Sequence, residues 1–271
     1  AALAQACAQA GIPLVHYSTD YVFDGQGTRP YREDDPTAPL GVYGASKLAG
    51  EQAVRAAGGR HFIFRTAWVY AAHGHNFLRT MLRVGAEREE LRVVADQVGT
   101  PTPAALIAEV TATALSAVLA GQAPAAGTWN LVATGRTTWH GFAEAIFAAA
   151  VARGLLPRAP RVLPITTADY PTPAQRPAYS CLDTAALRHD FRIGLPSWGQ
   201  GLAGVIEALA AMGISSKEAS DLGVAIYKVG MPWPLEPTGL RAFAAGLETL
   251  MVIEHKRPLI ETQARAALYD L

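Results

Sequence analysis

The sequence has 271 residues, half of them hydrophobic, with 23 basic and 23 acidic side chains. It can build a core for one large or two modest domains, which excludes an intrinsically disordered chain. A formal net charge of zero and the absence of a long apolar run argue against nucleic acid or a membrane as partner. Two cysteines, Cys7 and Cys181, are too few for a disulfide framework and predict a reducing, cytoplasmic location.

The first predicted element is a helix over the alanine-rich residues 1–10, ended by Gly11. The apolar run after it predicts a strand near 12–18. The sequence starts without Met and without the basic start of a secretory signal, so we expect a chain that is cut at its N-terminus.

A polar loop to Leu40, a helix near 42–57 and a strand near 61–66 follow. This order predicts an α/β fold with a parallel sheet, because parallel strands are usually joined by a crossover helix. Ligands of such sheets lie at the carboxyl ends of the strands. The loops after Tyr17 and Arg65 are therefore the predicted site.

Residues 71–211 are predicted to form a small substrate-binding lobe, with alanine-rich helices after Pro103 and after Trp139. Asp96 and Gln97 fit a structural turn into the first of these helices. We expect Thr102 to cap that helix and Pro103 to be its first residue.

Two further features of this lobe, a pair of histidines and an arginine, have side chains suited to binding sites. His73 and His75 have the chemistry of metal ligands, but no further ligands are signalled nearby, so no metal site is predicted. Arg176 lies in a proline-rich loop and could either pair with a substrate phosphate or support the loop.

The clearest chemical signal is a tyrosine and a lysine four residues apart at the start of the helix near 42–57. Tyr43 and Lys47 share one helix face, and an ammonium near a phenol favours the phenolate. Such a tyrosine can donate or accept a proton near neutral pH, as carbonyl reduction requires. A solvated helix face is the alternative interpretation of this pair.

The strand before that helix ends in the run Ser18-Thr19-Asp20-Tyr21-Val22-Phe23-Asp24-Gly25. With the segments 30–36, 42–51, 65–70, 76–77, 93–102 and 170–177, this run resembles the dTDP-4-dehydrorhamnose reductases, a family of extended short-chain dehydrogenases. The resemblance covers about residues 1–210. It implies a partial Rossmann-type parallel sheet, NADPH or NADH as cofactor, a dTDP-sugar as substrate and a homodimer.

The resemblance also implies roles for individual residues. Tyr43 would protonate the C4 oxygen of dTDP-4-dehydro-6-deoxy-L-mannose, giving dTDP-L-rhamnose. Lys47 would support Tyr43, and both would hold the nicotinamide ribose. Thr19 would hydrogen-bond the reacting carbonyl, and Asp20 and Trp68 would contact the sugar. A core aromatic is the alternative for Trp68, and an ordinary strand-end residue is the alternative for Thr19.

The sequence before Thr19 contains no glycine-rich turn of the kind that holds a cofactor pyrophosphate. We therefore expect weak or no turnover from this chain. Three alternatives remain open at this point: a non-enzymatic regulatory subunit like that of methionine adenosyltransferase, a sugar-nucleotide epimerase or dehydratase, and an inactive fusion fragment.

A domain seam is predicted after Ala211, which separates residues 1–211 from residues 212–271. The second section has a strand–helix–strand–helix pattern, with strands at 224–230 and 250–254. Residues 217–271 resemble the linking domain of the α subunit of indolepyruvate ferredoxin oxidoreductase. No thiamine chemistry is expected from this fragment, because two cysteines cannot ligate a four-cysteine cluster.

Overall fold

The computed structural model of the chain describes residues 1–124, 126–172 and 174–211. The helices are α1 (Ala2–Gln9), α2 (Val42–Ala56), α3 (Phe77–Glu87), α4 (Ala104–Leu119), α5 (Trp139–Ala152), α6 (Ala185–Phe191) and α7 (Trp198–Ala211). The strands are β1 (Leu14–Thr19), β2 (His61–Thr66), β3 (Val69–Tyr70), β4 (Glu90–Val94), β5 (Val98–Gly99), β6 (Thr102–Pro103), β7 (Ala126–Asn130), β8 (Thr137–Thr138) and β9 (Arg161–Ile165).

The main sheet is parallel, with the strand order β1-β2-β7. Its central strand, β2, alternates in the manner of a strand covered on both faces. Phe62 and Phe64 pack with α4 and α6 on one face, and Ile63 packs with α1 and α2 on the other. The predicted α/β class with a parallel sheet is confirmed.

A second, smaller lobe consists of the parallel pair β4–β9 with α3, α5 and α7 around it. Its core joins Tyr70, Leu78, Phe142 and Ile206, all with at most 2% of their surface exposed. The apolar faces of α3, α5 and α7 therefore close this lobe without help from the main sheet.

The prediction that residues 71–211 form one lobe is wrong in one respect. Strand β7 and helices α4 and α6 leave that section and pack in the main sheet layer. The strand carries Trp129, whose ring packs against Phe62, Phe64 and Phe191. The apolar surface that β2 offers on this side explains why a strand from so far along the chain is added there.

Two short strand pairs join the sheet and the lobe. Strand β3 pairs with β6 in parallel, and β5 pairs with β8 antiparallel. The predicted cap of α4 is displaced by one residue: α4 begins at Ala104, Pro103 occupies the cap position, and Thr102 instead donates to the carbonyl of Thr100.

No helix within the described residues is long and apolar enough to span a membrane. The predicted seam after Ala211 and the predicted elements of residues 212–271 lie outside the described residues.

Candidate active site

The predicted site residues come from three segments that meet where β1 and β2 end. Thr19 and Thr66 are register partners at the last position of these two strands. A 3-10 turn, Asp20–Val22, follows β1 directly, and α2 packs against both. Trp68 packs against the same buried cluster as Leu48 of α2, a cluster built on Val22, Phe23 and Tyr31.

Thr19 ends β1 with its hydroxyl turned into the polypeptide. The side chain is 5% exposed, accepts a hydrogen bond from the backbone of Tyr21 at 3.3 Å and donates to Asp20 Oδ1 at 3.0 Å. It therefore caps the 3-10 turn. The alternative of a strand-end cap is correct for the structure, and the same contacts fix the position of the hydroxyl.

Asp20 is a buried carboxylic acid at the start of this turn. It is 4% exposed, and its Oδ2 makes no hydrogen bond of standard geometry. Burial raises the pKa of Asp20 to about 6, and hydrogen bonding with the nearby hydroxyls of Ser180 and Thr19 opposes that shift. The group can thus hold or release a proton near neutral pH directly behind Thr19.

Tyr43 and Lys47 lie one turn apart on α2, as the spacing predicts. The phenol of Tyr43 is 57% exposed and packs edge-on against Tyr21, with 5.7 Å between ring centroids. Lys47 donates from Nζ to the backbone carbonyl of Tyr17 at 2.5 Å. The Lys47 ammonium is therefore anchored to β1, while Tyr43 remains largely exposed.

Gly44 lets the first turn of α2 approach the 3-10 turn. A Cβ at this position would lie 2.1 Å from the carbonyl oxygen of Tyr21. Only glycine permits this approach, because the obstructing atom is backbone and cannot rotate away. Gly44 thus sets how closely the first turn of α2 packs against the 3-10 turn.

A buried ion pair ties α2 to β2. Arg65, 2% exposed, donates from two nitrogens to the two carboxylate oxygens of the fully buried Glu51, at 3.0 and 2.8 Å. Burial alone would raise the pKa of Glu51, but hydrogen bonding and charge from Arg65 hold it below its ordinary value. A paired fork of this kind restricts rotation and sliding of the helix that carries Tyr43.

Trp68 follows β2 in a left-handed backbone conformation, with φ of 48°. This conformation costs a residue other than glycine about 1 kcal/mol or more, so the surroundings must hold it in place. The half-buried indole stacks on Trp139, with centroids 3.6 Å apart and planes within 7°. Trp68 is thus a flat surface beside the ends of the main strands.

The sequence does not predict Trp139 or its partners to be site residues. The Trp139 indole nitrogen donates to Gln97 Oε1 at 3.1 Å, and Gln97 Nε2 donates to the hydroxyl of Thr167 at 3.0 Å. The sequence predicts only a structural turn for Gln97 and only a helix start for Trp139. The capping residue Thr138 marks the start of that helix, but no local signal indicates that Trp68 lies beside it.

Arg176 lies on the same side of the molecule as Tyr21. Burial raises the pKa of Tyr21, and the positive charge of Arg176 opposes the shift. The next residue, Pro177, packs closely on Gly25: a Cβ at Gly25 would lie 2.3 Å from the Cβ of Pro177. Both interpretations of Arg176 stay predictions.

Within the described ranges, no group of three or more His, Cys, Asp or Glu is arranged to hold a metal ion.

Comparison with protein families gives two matches. The model of the RmlD substrate binding domain matches residues 1–211. The model of the indolepyruvate oxidoreductase domain matches residues 184–271, in agreement with the resemblance noted for the C-terminal section. All the predicted site residues lie in the first match.

Curated relatives and solved structures agree with the first match. The chain is 52% identical over 201 residues to the dTDP-4-dehydrorhamnose reductase of Burkholderia thailandensis, covering 72% of this chain and 67% of that protein. It is 45% identical to the Escherichia coli K12 enzyme, covering 77% and 69% of the two chains.

Among solved structures, the Bacillus anthracis reductase in complex with NADP is 38% identical, with a TM-score of 0.69 over 76% of this chain and 69% of that one. The ortholog from Clostridium acetobutylicum is 37% identical, with the same TM-score and coverage. The chain therefore belongs to the RmlD substrate binding domain family, the family of the dTDP-4-dehydrorhamnose reductases.

Proposed function

We propose that this chain reduces the C4 ketone of dTDP-4-dehydro-6-deoxy-L-mannose to dTDP-L-rhamnose with NADPH or NADH. The observation that carries the proposal is the bond from Lys47 of α2 to the Tyr17 carbonyl of β1, with Tyr43 one helical turn before Lys47, in a chain 52% identical to such a reductase. A cytoplasmic location is part of the proposal and rests on the two free cysteines.

The residues around Lys47 suit a nicotinamide ribose. Lys47 uses one N–H on the carbonyl of Tyr17, which leaves further N–H groups for a diol, and the Tyr43 hydroxyl is exposed beside it. Tyr43 and Lys47 would hold that ribose. When bound, the reduced cofactor supplies the hydride for C4 of the sugar.

The chain's own residues account for the proton and for the sugar's orientation. Tyr43 Oη holds the proton that passes to the C4 oxygen, and Lys47 stabilises the phenolate that this transfer leaves. Thr19 would orient the same oxygen by turning its one hydroxyl hydrogen from Asp20 to that oxygen. Trp68 offers a flat apolar face to the sugar ring, a common arrangement in carbohydrate sites.

Asp20 acts behind Thr19 in this proposal. Its carboxyl accepts the hydrogen bond from the Thr19 hydroxyl and is 4% exposed. Direct contact of Asp20 with the sugar, as the resemblance implies, would use its Oδ2, because Oδ1 accepts from Thr19. We therefore propose that Asp20 orients the Thr19 hydroxyl.

The test combines turnover with binding. NADPH oxidation by the purified chain in the presence of the 4-keto sugar nucleotide is followed beside Tyr43→Phe, and binding of dTDP-L-rhamnose to both is measured by calorimetry. We expect Tyr43→Phe to lower kcat by about 100-fold or more and to bind the product like the wild type. Failure of the wild type to bind the product would contradict the proposal.

The binding measurement also separates two causes of low turnover. A chain that binds dTDP-L-rhamnose but oxidises NADPH slowly would have an intact sugar site and a weak hold on the cofactor. A regulatory subunit of the methionine adenosyltransferase type would bind a partner enzyme and show no dependence on Tyr43.

A further inference from the structure

Two tryptophans, Trp68 and Trp139, stack beside the ends of the main strands, and the proposed reaction gives this stacking no role. Trp68 belongs to the segment after β2, and Trp139 is the first residue of α5 in the smaller lobe. Their rings lie face to face at 3.6 Å, closer than the aromatic pairs of the core. We propose that Trp139 is a positioning residue that holds Trp68 as the wall for the sugar ring, an inference that rests on the proposed function.

Trp68 adopts an unfavourable backbone conformation. Its φ of 48° lies in the left-handed region, which side chains rarely adopt without support. The carbonyl of Trp68 accepts one hydrogen bond, from the backbone of Thr102 at 3.1 Å. This bond fixes the peptide, whereas the plane of the indole depends on the side chains and backbone that pack against it.

Two close contacts supply that support: the stacked ring of Trp139 and the backbone of Gly99. Gly99 lies against the indole of Trp68, and a Cβ there would be 2.3 Å from Cε2. Strand β5, which ends at Gly99, pairs with β8, whose last residue directly precedes Trp139. The short β5–β8 pair therefore places both Gly99, which leaves room for the indole, and the ring of Trp139 next to Trp68.

Trp139 is itself held in place. Its indole N–H donates to Gln97, which is 5% exposed, and its ring packs on Phe77 with 4.6 Å between centroids. Gln97 is fixed in turn by its bond to Thr167, whose hydroxyl donates to Asp96 at 2.7 Å. A side chain anchored at its polar tip and on its ring can impose its plane on a strained neighbour.

The test labels the protein with 5-fluorotryptophan and follows Trp68 by 19F NMR, with Trp68→Phe assigning one of the five tryptophan signals. We expect Trp139→Leu to move the Trp68 signal and to weaken dTDP-L-rhamnose binding about five- to tenfold. Trp139→Phe, which retains a ring, should recover most of that affinity. Trp129→Phe, a change in the buried core of the main sheet, should leave the Trp68 signal and product binding unaltered.

A second variant keeps the proposal testable if Trp139→Leu does not fold. Gln97→Met removes the acceptor of the Trp139 indole and preserves side-chain size, so it should move the Trp68 signal and weaken binding in the same direction by a smaller factor. An unchanged Trp68 signal in both variants, or a moved signal with unchanged product affinity, would overturn the proposal.

The two arms distinguish this proposal from the proposed function. A wild-type chain that does not bind dTDP-L-rhamnose contradicts the reductase function and removes the sugar as the ligand of Trp68. The 19F signal needs no ligand and decides, in that case too, whether Trp139 holds Trp68.

Discussion

Asp20 shows how a single buried group links stability to pH. Its folded pKa, about 6, lies above the value of roughly 4 expected in the unfolded chain. Between these values the folded state binds more protons than the unfolded state, so this residue lowers stability as pH rises. The cost is absent well below pH 4 and complete above about pH 6. Glu51 has the opposite sign, because Arg65 depresses its folded pKa.

Replacing Asp20 by Asn removes the charge but retains an oxygen that can accept from Thr19. We expect Asp20→Asn to raise the free energy of unfolding by about 2–3 kcal/mol near pH 7, and to have little effect near pH 4. Urea denaturation at the two pH values measures this difference. Asp34→Asn, at an exposed position, provides the baseline. A gain that is equal at both pH values would show that the buried charge is not the cause.

At the scale of the element, α2 carries two of the proposed catalytic residues, Tyr43 and Lys47. It is placed by a close backbone approach at Gly44 and by the Glu51–Arg65 ion pair further along. The ion pair fixes the helix to β2, and the glycine fixes its first turn to the end of β1. Displacement of either contact moves Tyr43 relative to Thr19.

Gly44→Ala tests the close approach. The new methyl group must push the first turn of α2 away from the Tyr21 carbonyl, so we expect kcat/KM to fall roughly 10- to 100-fold. The matched control is Gly41→Ala, the same change three residues earlier, where a Cβ meets nothing within 4 Å. Steady-state kinetics of both variants decide the question. Equal losses in the two would show that the close approach to the Tyr21 carbonyl is not the cause.

At the scale of the whole molecule, the two family matches overlap over residues 184–211. The structure resolves where this overlap belongs. Helix α6 places Leu187 and Phe191 in the core of the main sheet, and α7 places Leu202 and Ile206 in the core of the smaller lobe. Both helices are therefore part of the reductase section, which we propose to be residues 1–211, with residues 212–271 as a separate domain.

Ending the chain after Ala211 tests this division. Because every proposed site residue and both described cores lie before that point, we expect residues 1–211 to bind dTDP-L-rhamnose within about twofold of the full chain. Calorimetry on the two proteins compares their affinities. Loss of binding by a shortened chain that keeps its circular dichroism spectrum would assign residues 212–271 a part in the site.

Local signals carried much of the fold. The predicted helix near 42–57 and strand near 61–66 agree with α2 and β2, because glycines end the helix and alternating aromatic residues mark the strand. The placement of β7 could not be predicted this way. It depends on which apolar surface remains uncovered after β1 and β2 have paired, and that surface exists only in the folded chain.

The chemistry of the site divides along the same line. The sequence alone determined that Tyr43 and Lys47 share a helix face and that Thr19 ends a strand, since both follow from residues close together along the chain. Only the tertiary structure decided that Trp139 stacks on Trp68 and that Arg65 pairs with Glu51. Those partners are distant in sequence, and the contacts between them arise from how strands and helices pack, which local periodicity does not encode.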